Sequence, residues 1–211
     1  MANLHNIPIR IANILIELTS PLSAVELGIE GRLGPFRATN SPEKPLARVA
    51  LRWEESPSPP VPRGDLIYDP GSIWKMYRDG PDDYAVLAYQ NEGQAARAQS
   101  VLRANAAWND LTLTEQRIGT PWQSLLNVGA GELVLRAAIL FTGGLVFHSS
   151  ALDDNGQGIV FIGHSGAGKS TQVELWCQEP GVIAMNDDRI AVRMEANGPM
   201  CYGTPWGGTA D

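Results

Sequence analysis

Residues Gly158–Thr171 read GIVFIGHSGAGKST, and the fold expected of the carboxyl half turns on them. Ile159–Ile162 is an apolar run short enough to be a buried strand. Gly163, His164, Ser165, Gly166, Ala167, Gly168, Lys169 and Ser170 then fit the phosphate-loop pattern of Gly, any four residues, Gly-Lys-Ser/Thr. Thr171–Trp176 is expected to be helical. The chemistry needs this order. Glycines let backbone N–H groups close on a phosphate without Cβ interference. A helix starting at the loop adds orphan donors and a positive dipole end. Lys169 can reach the β- and γ-phosphates, and the Ser170 hydroxyl can ligate Mg²⁺. Thr171 supports the helix. The bland alternative is a glycine-rich strand-to-helix turn without nucleotide; the complete pattern between a strand and a helix argues against it.

Working outward, Glu132–Thr142 is apolar and rich in Ala and Leu, which predicts a helix ended by Gly143-Gly144. Leu145–Phe147 begins a strand that delivers His148. Asp153–Gly156 is a turn, and Val182–Met185 is a further strand ending in Asn186-Asp187-Asp188-Arg189. A phosphate loop needs carboxylates at the end of a neighbouring strand to hold Mg²⁺ and position a nucleophile. Asp187 and Asp188 answer that need, although an isolated Asp pair is often only a solvated turn. If Leu145–Phe147 and Val182–Met185 are parallel neighbours, His148 lies beside Asp187. Alone, a histidine at a strand end is more often a satisfied core residue, and His164 sits at a variable loop position.

The amino half reads as β-rich. Ile9, Ile11, Ile14, Ile16 and Leu18 suggest one strand with a slip of phase. Leu46–Trp53 alternates as a second. Glu54–Gly64 carries four prolines and must be a loop. Ile73–Arg78 and Tyr84–Tyr89 flank a hairpin loop, Gln99–Asn109 reads equally as helix or strand, and Leu111–Thr114 alternates. Trp53, Trp74, Tyr77, Tyr84, Tyr89 and Trp108 could line a groove, but aromatics of this kind usually pack a β core. The domains expected are residues 1–118, a linker at 119–130, and residues 131–211.

Composition narrows the class. Across 211 residues, 44% hydrophobic and 18% charged content describe a globular chain. A net charge of −7 does not indicate a nucleic-acid surface, and no nucleic-acid partner is expected. No run of about 18 apolar residues is present, so no membrane-spanning segment is expected. Two cysteines, Cys177 and Cys201, without metal-ligand company fit reduced thiols of a cytoplasmic protein.

The segments HSSALDDNGQGIVFIGHSGAGKST, IAMNDDRIAV and YGTPWGGT together resemble the kinase domain of the HPr kinase/phosphorylase family. They are especially similar to HPr-kinase-related proteins of peptide-modification systems, such as lasso peptide precursor kinases. The resemblance runs from about Gly131 to the end. It implies an α/β phosphate-loop kinase domain preceded by a smaller β-rich domain. It also implies ATP and Mg²⁺ as cofactors and a peptide or protein serine as acceptor. In those terms Asp187 is the base, Asp188 and Ser170 contact the metal, and His148 stands beside the Asp pair. Residues 163–171, Lys169 among them, hold the nucleotide, and Arg189 is structural or a phosphate contact. Family kinase domains continue past the PWGGT segment, so the domain is expected to be incomplete at its carboxyl end, with an uncovered sheet edge that an oligomer or partner covers. The alternative is a nucleotide-binding partner or scaffold that no longer catalyses. A carboxykinase is disfavoured because no substrate-binding arginine cluster is found.

Overall fold

The computed structural model describes residues 4–29, 31, 33–38, 44–71, 74–81, 83–92, 95–116 and 130–207, with side chains for all of these except 86–92, 95–99 and 130. The chain divides into two compact units, residues 1–10 with 14–138, and residues 11–13 with 139–211. Apart from Ala130, the expected linker lies outside the described residues.

The first unit is built on one eight-stranded sheet. Its strands are β1 (His5–Ile11), β2 (Ile14–Ser20), β3 (Ala47–Ser56), β4 (Asp65–Tyr68), β5 (Trp74–Arg78), β6 (Tyr84–Glu92), β7 (Ala95–Ala104) and β8 (Asp110–Gln116). They lie in the order β1-β2-β3-β8-β7-β6-β5-β4. Alternation places the core, as a pleated strand must. Leu18 sits opposite Leu51, and Leu51 opposite Leu111; Trp53 sits opposite Leu113, and Leu113 opposite Leu102. All six side chains are buried. The slip of phase between Ile11 and Ile14 is a chain reversal rather than a bulge. Ala12 and Asn13 both have positive φ, at 49° and 58°, the backbone of a two-residue hairpin turn. Gln99–Asn109, ambiguous by pattern, divides into the end of β7 and a turn.

The second unit contains β9 (Gly144–Asp154), β10 (Gln157–Ile162), α2 (Lys169–Trp176), β11 (Val182–Asn186), β12 (Arg189–Glu195) and β13 (Gly198–Gly203). It follows α1 (Ala130–Phe141), inside which the two units divide. The sheet order is β10-β9-β12-β13, with β11 also paired to β9. Every pairing in this unit is antiparallel.

This overturns the expected α/β phosphate-loop domain and the expected smaller amino-terminal domain. The described residues are mostly strand, with only two α-helices among them, and the amino-terminal unit is the larger. Two helices cannot cover both faces of a parallel sheet. The physical reason lies in the connections. Parallel neighbours need a crossover of about a dozen residues or more. Asn155-Gly156 and Ala196-Asn197 are turns, and only Asp187-Asp188 separates β11 from β12. One crossover is present, through α2. It makes β10 and β11 run in the same direction, but β9 lies antiparallel between them. The expected parallel pairing of Leu145–Phe147 with Val182–Met185 is therefore corrected: β9 pairs antiparallel with β11 and β12 in turn.

In the first unit Glu115 accepts a hydrogen bond of 2.8 Å from Trp53 Nε1. Burial pushes its carboxyl up to about 7, which the Trp53 N–H, favouring the ionised form, only partly offsets. The folded state therefore holds a proton that the unfolded chain releases near the ordinary value of 4.5. Stability should fall as pH rises from about 4.5 to about 7, by roughly 1–3 kcal/mol. Denaturant unfolding across that range checks this, and Glu115→Gln, which keeps an acceptor for Trp53, should flatten the decline.

Candidate functional site

The β9–β10 hairpin sets up the loop. Asn155 and Gly156 have φ of 50° and 89°, the positive values that a tight two-residue turn requires, and Asp153 Oδ1 accepts the Gly156 N–H at 2.6 Å. β10 then runs to Ile162, opposite Ser149. Residues 163–168 form the loop. Gly166 and Gly168 adopt φ of 81° and 82°, so a side chain at either position would be strained. The residue before the helix, Gly168, offers no side-chain cap, and the first N–H groups of α2 therefore lack intrahelical partners. α2 is held down by buried Val173 and by Trp176, which meets the Phe161 ring edge-on at 6.2 Å.

Lys169 folds back over the loop. Its Nζ donates to the carbonyls of Gly163 at 3.0 Å and His164 at 3.2 Å. The loop thus carries an ammonium at its mouth, held by neutral acceptors that an anion could replace. His164 is exposed and its Nδ1 donates to Ser165 O at 2.8 Å. Ser165, Gly166, Ala167 and Thr171 are also exposed.

The acidic pair lies across β9 from this loop. β11 pairs with residues 151–154 of β9, and β12 pairs with residues 144–148. Asp187-Asp188 is the break between them, opposite Ser149-Ser150. Asn186 fastens the break: its Oδ1 accepts the N–H groups of Asp188 and Arg189, both at 2.8 Å, and its Nδ2 donates to Thr204 O at 2.9 Å. Thr204 returns a 2.8 Å bond from its hydroxyl to Arg189 O. The segment from Thr204 to Trp206 is therefore a buried brace, with Trp206 at 4% exposure.

His148, Asp188 and Arg189 form a triangle. His148 Nδ1 is 2.7 Å from Asp188 Oδ1 and 2.6 Å from Arg189 Nη1, and Arg189 Nη1 also pairs with Asp188 Oδ1. The sequence places His148 beside Asp187; the structure puts its ring on Asp188, across an antiparallel pair. The ring's proton decides its contact. Protonated Nδ1 donates to Asp188, whereas unprotonated Nδ1 accepts from Arg189.

β9 bonds the break twice, and one of those bonds continues to the loop end. Ser149 N donates to Asp188 O at 3.1 Å. Ser150 Oγ is 3.1 Å from Asp187 O and 3.4 Å from Ser170 Oγ. The two-residue period of β9 sends His148 and Ser150 from the same face, the face carrying Ser170. Ser170, the Asp187-Asp188 break and His148 are thus gathered around the middle of β9. Sequence reasoning missed Ser150, Asn186 and Thr204. Asn before a turn was a readable signal, since its side chain bonds the backbone two residues on; nothing in the pattern singled out Ser150.

The donor chemistry fits Mg²⁺ in one respect. Ser170 and the Asp pair offer hard oxygens, and among the described residues no group of three or more His, Cys, Asp or Glu side chains could hold a metal. Compared with known proteins, the chain matches no family model, no curated protein and no solved structure.

Asn186→Ala should leave two backbone N–H groups without their acceptor, at a cost of about 1–3 kcal/mol. Urea denaturation measures it.

Proposed function

We propose that the chain binds ATP with Mg²⁺ and transfers the γ-phosphoryl group to a hydroxyl, a serine, of a peptide or protein in the cytoplasm. One observation carries the reading: the Lys169–Ser170 end of the loop and the Asp187–Asp188 break meet across a single residue, Ser150. The reading rests on this chemistry and on the motif resemblance, not on the fold, because folds do not dictate activities. No described helix is long and apolar enough to cross a membrane.

The roles follow from position. The N–H groups of residues 163–171 cradle the phosphates, and Lys169 exchanges its two carbonyl contacts for phosphate oxygens. Ser170 and Asp188 would hold Mg²⁺, which, when bound, supplies charge neutralisation at the phosphates. Asp187 accepts the proton of the acceptor hydroxyl as its oxygen bonds to the γ-phosphorus. The bond from the γ-phosphorus to the bridging oxygen breaks, and ADP leaves with that electron pair. His148 and Arg189 orient Asp188.

A second reading, a nucleotide-binding partner or scaffold without catalysis, is favoured by the same triangle, because one oxygen of Asp188 is already engaged by two side chains. Binding and transfer separate the two readings. Lys169→Ala should weaken ATP by roughly 10- to 100-fold, the worth of one charge-assisted contact, measured by calorimetry. Asp187→Asn should keep ATP affinity while phosphotransfer to candidate peptides, read by mass spectrometry, falls about 10²- to 10⁴-fold. ATP binding with no transfer to any protein or peptide by the parent chain would favour the scaffold.

A further inference from the structure

We propose that Ser150 is a positioning residue that fixes the direction of the Ser170 hydroxyl, and so prepares Ser170 to bind a divalent cation with its nucleotide. This rests on the nucleotide-binding reading above.

The argument is a count of protons. Ser150 is fully buried, at 0% exposure, so its hydroxyl has no solvent partner to turn to. A serine hydroxyl carries one proton and two lone pairs. Asp187 O, 3.1 Å away, is a carbonyl and can only accept. Ser150 therefore spends its single proton on Asp187 O and offers Ser170 only a lone pair. At the 3.4 Å contact Ser170 must then be the donor. The hydrogen bonds run one way: Ser170 O–H to Ser150 Oγ, and Ser150 O–H to Asp187 O.

The consequence falls on Ser170. With its proton directed at Ser150, its lone pairs point elsewhere, which is what a neutral hydroxyl needs before it can ligate a cation. The contact is long for O–H···O and has room to shorten when the hydroxyl oxygen gives a lone pair to an ion and its proton becomes a stronger donor. The same chain ties Ser170 to the backbone of the acidic break, so one buried hydroxyl sets both halves of the site. Removing it frees the Ser170 rotor and leaves Asp187 O without this donor.

The test is calorimetry of ATP binding with Mg²⁺ and with EDTA, on the full chain. Ser150→Ala should bind metal-free ATP as the parent does but need about 10- to 100-fold more Mg²⁺ to reach the parent's metal-enhanced affinity, the usual effect of losing a partner behind a metal ligand. Ser150→Thr, which keeps the hydroxyl, should restore the parent's Mg²⁺ dependence. Ser150→Cys, with a weak donor and acceptor of similar size, should behave as the Ala variant, and replaces it should the Ala variant not fold. In a Ser170→Ala background, Ser150→Cys should add no further change. Unchanged Mg²⁺ dependence in the Ala or Cys variant, or equal loss of metal-free and metal-bound affinity, would overturn the role of Ser150 alone. Failure of the parent chain to bind ATP under either condition would instead overturn the nucleotide reading on which it stands.

Discussion

The second unit depends on how one long strand is paired along one edge. β9 is met by β11 over residues 151–154 and by β12 over residues 144–148. Between them the chain must leave the ladder and rejoin it. Asn186 makes that departure affordable by bonding the two N–H groups that the break would strand, since an unpaired backbone donor is costly away from water. The break holds two half-buried aspartates at a fixed place, and the fixed place is opposite Ser149-Ser150. On the other edge of β9, β10 ends at the same level and releases the glycine-rich loop. Both chemical segments are therefore strand exits on either side of one strand.

That arrangement explains what the sequence made legible. The loop, its strand and its helix were readable because glycine at Gly166 and Gly168 answers a local backbone demand. Leu145–Phe147, Ile159–Ile162 and Val182–Met185 were readable as strands because they are apolar and bounded by turns. Their relative directions were not. A strand, a phosphate loop and a helix usually imply a parallel neighbour, and β10 and β11 do run the same way. The strand that separates them, β9, precedes both in the chain, and nothing in its composition says that it inserts antiparallel between them.

The same limit governs the site. Local chemistry singled out Lys169, Ser170 and the Asp pair as candidates and set His148 beside Asp187, whereas antiparallel register pairs Arg189 with His148 and seats the ring on Asp188. Ser150 was illegible because its role comes entirely from a long-range register, 20 residues from Ser170 and 37 from Asp187. In the first unit, by contrast, Leu51, Trp53, Leu111 and Leu113 declare their buried face by period two alone. The reversal at Ala12-Asn13 was misread, since neither residue is a glycine, and Glu54–Ser56, read as the start of a proline-rich loop, continues β3 ahead of the first proline.

The central claim is that the loop and the acidic break form one ligand site. Amide NMR during titration of the full chain with MgATP tests it most directly. The account predicts that the N–H signals of Gly166, Gly168 and Lys169 on the loop, and of Ser149, Asp188 and Arg189 at the break, all shift along curves with one dissociation constant. Shifts confined to the loop, or two sets of signals with different constants, would contradict it.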